Sequence, residues 1–131
     1  MSSSHDPGPE LSVLNGVPVL VVEDSWHVAK AMKLALKQLG MRVVGPVATT
    51  EDARRLMAEQ RPKVALVDVN LTTELACGLI EELHAQGVHV IGVSGYAAPP
   101  LPAGTVAAFL QKPFSENDLI TMLCATAARL H

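Results

Sequence analysis

Four apolar runs in this chain each end in a polar tip. Val19-Leu20-Val21-Val22 runs into Glu23-Asp24, and Val64-Ala65-Leu66-Val67 into Asp68. Val88-His89-Val90-Ile91-Gly92-Val93 ends in Ser94, and Val106-Ala107-Ala108-Phe109-Leu110 ends near Lys112-Pro113. If the tips meet, three carboxylates, a hydroxyl and an ammonium share one small space. Carboxylates that close repel, and burial sharpens the conflict. A hard divalent cation resolves it, and Mg2+ suits carboxylate oxygens together with water and phosphate oxygens. Lys112 adds a positive point charge and Ser94 a hydroxyl donor. Such a set matches a transferring phosphoryl group, whose oxygens carry charge that must be stabilised. The nucleophile would be a carboxylate, giving an acyl phosphate. Asp68 is the candidate because it stands alone at its tip, whereas Glu23-Asp24 is a pair suited to the metal.

The elements that would position these residues can be read from the runs between them. The stretch Lys63 to Asp68 suits a strand buried on both faces, with Asp68 at its carboxyl end, where open α/β sheets place their chemistry. Pro18–Val22 reads as the first strand, since Pro is tolerated at a strand's first residue. Ser25 suits an N-cap, and Val28, Met32, Ala35, Leu36 and Leu39 follow helical spacing up to Gly40, a C′ residue. Lys30, Lys33 and Lys37 fall toward solvent. Arg42–Val47 reads as a second strand whose Gly45-Pro46 marks an edge. Thr49 or Thr50 caps the next helix, with Glu51 and Asp52 in its first turn, and Pro62 blocks its extension beyond about Gln60. A third helix is expected from Glu74 or Ala76 to Gln86, carrying Leu79, Ile80 and Leu83. Between Ser94 and Phe109 the three prolines and two glycines from Gly95 to Gly104 leave room only for a short or irregular helix. Ser115 caps a last helix with Glu116 and Asp118 in its first turn. The alternation of strands and helices implies a parallel sheet covered on both faces.

Composition narrows the functional classes. The 131 residues are 49% hydrophobic but only 3% aromatic, which points to one domain with an aliphatic core. Residues 1–16 hold four serines, Pro7, Gly8 and Pro9, and are expected to be a flexible lead-in to a domain at 17–131. The formal net charge of −3 with no basic cluster argues against direct nucleic-acid binding. Cys77 and Cys124 lack metal-ligand spacing and read as reduced thiols of a cytoplasmic protein. No apolar run approaches the roughly 20 residues of a membrane span, and no signal peptide is evident. The five histidines show no ligand spacing. Trp26, the sole tryptophan, is expected to pack at the edge of the acidic site.

Taken in order, Val-Leu-Val-Val-Glu23-Asp24, Val-Ala-Leu-Val-Asp68-Val-Asn70, Ser94-Gly95 and Leu110-Gln111-Lys112-Pro113-Phe114 resemble a response-regulator receiver domain of two-component signalling. The resemblance covers about residues 17 to 131. It implies a flavodoxin-like (βα)5 fold, doubly wound, with a parallel five-stranded sheet of order 2-1-3-4-5. It also implies that Asp68 is the phosphoacceptor and that Glu23, Asp24, Asp68 and the Asn70 backbone carbonyl hold Mg2+. Ser94 and Lys112 would contact the phosphoryl group, and Phe109 would be the switch aromatic packed in the core. The Lys112-Pro113 bond would be cis. The implied partners are a histidine kinase or histidine phosphotransfer protein, and the chain is expected to be a monomer or weak dimer without an output domain of its own. Self-catalysed phosphoryl transfer would be its only chemistry, so it would not be an enzyme in the usual sense. Phrases such as Val-Val-Gly-Pro-Val-Ala and Leu-Gln-Lys-Pro-Phe resemble a subgroup common in alphaproteobacteria, whose members stand alone or end hybrid kinases.

The sequence departs from the family at Thr72, which stands near a usual Pro, and at Gly78, which comes late, so the loop after Asp68 is expected to be longer. Two other functions compete. Asp68-Val69-Asn70-Leu71-Thr72 loosely resembles the nucleophile loop of haloacid-dehalogenase-type phosphohydrolases, but that class needs an acid where Asn70 stands. A degenerate receiver that only docks would not need the complete acid set with Ser94 and Lys112. A dinucleotide binder is excluded by the missing Gly-rich turn after the first strand.

Overall fold

The computed structural model describes residues 13–71, 74–95 and 104–130. In chain order these form β1 (Pro18–Val22), α1 (Trp26–Gln38), β2 (Arg42–Val47), α2 (Thr50–Gln60), β3 (Val64–Asp68), α3 (Cys77–Ala85), β4 (His89–Ser94), β5 (Ala108–Gln111) and α4 (Glu116–Ala128). The five strands are all parallel and run in the order β2-β1-β3-β4-β5. β3 is the central strand, and all five of its residues are buried. That burial on both faces is why its sequence is a continuous apolar run rather than an alternation.

Alternate strand residues feed two cores. Val19, Val21, Val64, Leu66, Ile91, Val93 and Leu110 pack under α1 and α4, where Met32, Leu36, Leu119, Leu123 and Ala127 close the layer. Leu20, Val22, Val44, Ala65, Val67 and Val90 face the other way, against Ala53 and Met57 of α2 and Leu79, Ile80 and Leu83 of α3. Each fully buried leucine or isoleucine contributes about 1.5–3 kcal/mol relative to exposure. The two periods in the sequence, two for strands and 3.6 for helices, thus resolve into a three-layer sandwich.

The helix ends follow local chemistry. Thr49 accepts the Asp52 N–H at 3.1 Å, and Ser115 with Asp118 forms a reciprocal capping box on α4. Gly40 takes φ +83 just past α1, and a Cβ there would stand 2.8 Å from Asn15 Oδ1. β2 lies at the sheet edge, as its proline requires, and its register against β1 shifts between Leu20 and Val22. Both Gly45-Pro46 and Lys112-Pro113 are cis; only the second follows from the family resemblance.

Three expectations change. The lead-in is shorter at its inner end: Leu14 is fully buried in the α1–α4 core, and Gly16 N–H donates to Gly40 O at 2.8 Å. One aliphatic side chain with a core slot outweighs the polar composition around it; residues 1–12 lie outside the described residues. α3 starts at Cys77, later than the earliest reading, because the chain first doubles back between Asn70 and Leu75. Phe109 is not core: it is 37% exposed, on the last strand of the sheet. The short or irregular helix expected between β4 and β5, with Tyr96, falls on residues 96–103, and Thr72 on 72–73; both segments lie outside the described residues.

Phe109 pairs in register with Gly92 of β4, and its ring occupies the space that a side chain at Gly92 would take. A Cβ there would approach Phe109 Cε1 to 2.8 Å. Gly92→Ala is expected to push the ring away and lower stability by about 1–3 kcal/mol, read by urea denaturation. An unchanged midpoint would show that the ring has room to retreat.

Candidate functional site

The backbone holds the tips in place beyond the last paired strand residues. Glu23 N–H donates to Val47 O at 2.9 Å, Val69 N–H to Val93 O at 2.9 Å, and Lys112 N–H to Ser94 O at 2.8 Å. These bonds carry the sheet's register one step past the strands. Glu23, Asp24, Asp68, Ser94 and Lys112 therefore stand along the carboxyl edge of β1, β3, β4 and β5.

The acids converge there. One carboxylate oxygen from each of Glu23, Asp24 and Asp68 lies within 4.8 Å of the others. Glu23, Asp68 and Ser94 are buried, and Asp24 is half-buried. The Lys112 ammonium bridges two of the acids, 2.9 Å from Glu23 Oε1 and 3.1 Å from Asp68 Oδ2. The remaining Asp68 oxygen, Oδ1, accepts the Asn70 N–H at 3.0 Å. The Asn70 side-chain amide reaches Ser94 Oγ at 3.4 Å, and Glu23 Oε2 accepts the Ser25 N–H at 3.0 Å. Ser25 thus starts α1 without a side-chain cap of its own, while the acid before it satisfies its backbone.

The charge balance of this cluster is unfavourable. Burial raises the Glu23 pKa above the usual carboxylate value, and repulsion from Asp68 adds to the rise; Lys112 and the Ser25 N–H offset it only in part. Partial burial alone would lower the Lys112 pKa, but its contacts with Glu23 and Asp68 outweigh burial and raise it. Glu23 Oε1 is buried, and the contact it makes is with the Lys112 ammonium at 2.9 Å. Three converging carboxylates against one ammonium, an all-oxygen acid cluster with excess negative charge, fit a hard divalent cation. Glu23, Asp24 and Asp68 are the residues that would hold it.

Comparison with known proteins gives the fold its family. The model of the response regulator receiver domain matches residues 19–124. This chain belongs to that family. No curated protein matches it. Among solved structures it is similar to the response regulator PhyR of Brucella abortus, at 22% identity and a TM-score of 0.79, covering 92% of this chain and 51% of that one. The chain therefore spans about half of PhyR's length. It is also similar to a CheY-like receiver domain of Methylobacillus flagellatus, at 23% identity and TM-score 0.76 over 86% of this chain and 99% of that one. The receiver domain of a sensor histidine kinase of Pseudomonas aeruginosa, described with a magnesium ion coordinated in its active site cleft, is 25% identical with TM-score 0.73 over 86% and 98%. The matched family and the 2-1-3-4-5 sheet order are those of a receiver domain of two-component signalling.

The structure of this receiver domain brings together Glu23, Asp24, Asp68, Asn70, Ser94 and Lys112. It leaves out Phe109, which lies against Gly92 rather than among these groups. It also leaves out Trp26, which is 67% exposed at the start of α1 and stacks with Lys30 at 5.1 Å instead of packing on the acids. The Asn70 side-chain contact to Ser94 has no signal in the sequence, because it depends on how two adjacent strands end. Cys77 and Cys124 are both half-buried, and among the described residues no helix is long and apolar enough to cross a membrane.

Because the Glu23 pKa is raised on folding, its protonated form favours the fold. That stability is full below pH 4.5 and is lost as the pH rises through the raised value. Glu23→Gln is therefore expected to melt higher than the parent in metal-free buffer at neutral pH, and to lose the advantage as the pH falls toward 4.5. Thermal melts across that range check it; a variant less stable than the parent at pH 7 would contradict burial of the charge as the cause.

Proposed function

We propose that this receiver domain accepts a phosphoryl group on Asp68 from a phosphohistidine and thereby switches a protein-binding surface. The observation that carries the reading is the divided Asp68 carboxylate: Oδ2 on Lys112, Oδ1 on the Asn70 N–H, with Asp24 and Glu23 beside it. An Asp68 oxygen attacks phosphorus in line, the N–P bond of the donor breaks, and its electron pair returns to the imidazole. Bound Mg2+ would neutralise the acids and the phosphoryl oxygens. Lys112 would supply a fixed positive charge to the same oxygens, and its raised pKa keeps it charged throughout the neutral range. Ser94 would donate its hydroxyl to the new phosphoryl group, drawing β4's tip toward Asp68. Positioning and electrostatics account for the whole reaction, as phosphoryl transfer requires. Hydrolysis of the acyl phosphate resets the switch, and no other substrate is turned over.

The test is chemical. With Mg2+ and a small-molecule phosphodonor, the chain should gain one phosphoryl group that hydroxylamine removes, and peptide mapping should place it on Asp68. Asp68→Asn should abolish it, and Asp24→Ala should reduce it strongly. Equal modification of Asp68→Asn would remove the assignment.

The donor's approach follows from what flanks the site. A groove of about 570 Å3 between α1 and the start of α4 is lined by Val28, Ala31, Met32, Pro113, Phe114 and Leu119, and by Lys112 itself. α1 carries Lys30, Lys33 and Lys37 and no acid, with exposed Trp26 and Leu34 beside them. The groove is open to the apolar side of a helix of the histidine-bearing partner, and the lysines on the opposite side of α1 give it a positive field that steers an acidic partner toward it. Lys30→Glu is expected to slow phosphotransfer from a protein donor about tenfold or more at low salt, while phosphorylation by a small donor is unchanged. An equal loss with both donors would place the effect in the site and not in docking.

A further inference from the structure

The loop between β3 and α3 carries a tie that the phosphoryl chemistry does not use. After Asp68 the chain runs out through Asn70 and returns: Asn70 and Leu75 form an antiparallel bridge, and Ala76 N–H donates to Val69 O at 3.0 Å. Glu74 lies on the returning arm and reaches across to α2. Its Oε2 accepts the Thr50 N–H at 3.0 Å, and its Oε1 accepts the Thr50 hydroxyl at 2.7 Å. Thr50 opens α2 and is buried, so its N–H has no partner within the helix and little access to water. A carboxylate is the favoured acceptor at that end of a helix. The Thr50 backbone bond, then its hydroxyl bond, holds the Glu74 pKa below the usual carboxylate range, with Arg54 assisting. Arg54 extends the network, donating to Thr50 Oγ1 at 3.2 Å and to Glu82 of α3 at 2.8 and 2.6 Å.

We propose that Glu74 is a positioning residue for the phosphoacceptor site, whose two-oxygen grip on Thr50 fixes the loop that carries Asn70. The inference rests on the reading of Asp68 as a Mg2+-dependent phosphoacceptor. Its logic is mechanical. Asp68 is held by the sheet, in register with Val93. Asn70 has left the sheet and is held by the bridge to Leu75, next to Glu74. Freeing Glu74 loosens the returning arm, and the bridge passes that freedom to Asn70. The Asn70 contacts to Asp68 Oδ1 and Ser94 Oγ then weaken while the nucleophile stays in place. The loop's own ties are the Asn70–Leu75 bridge, the Ala76 N–H bond to Val69 O and a long Glu74 N–H bond to Leu71 O at 3.4 Å, and the Glu74 side chain adds an anchor on α2.

The experiment compares the full chain with Glu74→Ala, Thr50→Val, their double variant, and Glu82→Gln. Mg2+ titration gives affinity, and amide hydrogen exchange reports Asn70 and Ala76. Glu74→Ala should weaken Mg2+ about tenfold, as loss of an outer partner of a metal site typically does, and speed exchange at both amides. Thr50→Val should do the same to a smaller extent, and the double variant should be no worse than Glu74→Ala alone. Glu82→Gln, which cuts the link between α2 and α3 outside the loop, should lower stability and leave Mg2+ affinity unchanged. Parent-like affinity and exchange in Glu74→Ala, or an equal affinity loss in Glu82→Gln, overturns the proposal. If the parent itself takes no Mg2+, the phosphoacceptor reading fails instead, and exchange at Asn70 alone decides whether Glu74 anchors the loop.

Discussion

Like charges held together at the end of a parallel sheet are the constraint on which this protein is organised. Three carboxylates share a pocket within 4.8 Å, two of them buried, with one lysine between them. No isolated stretch of chain would adopt that arrangement, since repulsion and desolvation both oppose it. It persists because the two apolar cores fix the strands on which the acids sit. The stability of the sandwich maintains an unfavourable site, in which the acids outnumber the one lysine that meets them.

Each member of the site is held with a different stiffness. Asp68 ends a strand buried on both faces, so it is the most rigid. Lys112 follows the shorter strand β5 and is fixed by its N–H bond to Ser94 O as well as by its two ion pairs. Ser94 ends β4, whose neighbour Gly92 gives way to the half-exposed Phe109 ring. Asn70 lies in a loop secured by its bridge to Leu75, by the Ala76 N–H bond to Val69 O and by Glu74 on Thr50. Asp68 is thus fixed by the core, and Lys112 and Asn70 by polar contacts beyond the sheet's edge. On the proposed reading, new charge at Asp68 would act on the groups held by polar contacts before it disturbed the strand.

The exposed ion pairs belong to a different category. Arg54–Glu82 and Arg55–Asp52 lie at the surface and contribute about 0–1 kcal/mol each. Arg54 matters less as a charge than as part of the network that meets Glu74 at Thr50. α1 carries lysines and no acid, a one-sided charge that belongs with the docking proposed above.

The order of strands and helices, the edge position of β2, the caps at Thr49 and Ser115, and the acid, hydroxyl and ammonium tips are all legible in the sequence, because each follows from local patterning. Burial on both faces of β3 makes its run continuous and points to Asp68. Other features are not legible. Leu14 is hidden in a polar lead-in, Phe109 reads as core, and Trp26 reads as a neighbour of the acids, because one side chain's burial depends on what packs opposite it. Asn70 on Ser94 and Glu74 on Thr50 join residues 24 positions apart, a pairing that no propensity encodes. Local chemistry along the chain determined which residues could react; only the parallel register and the folded-back loop decided which of them touch, since contacts between distant segments exist only once the core has set their spacing.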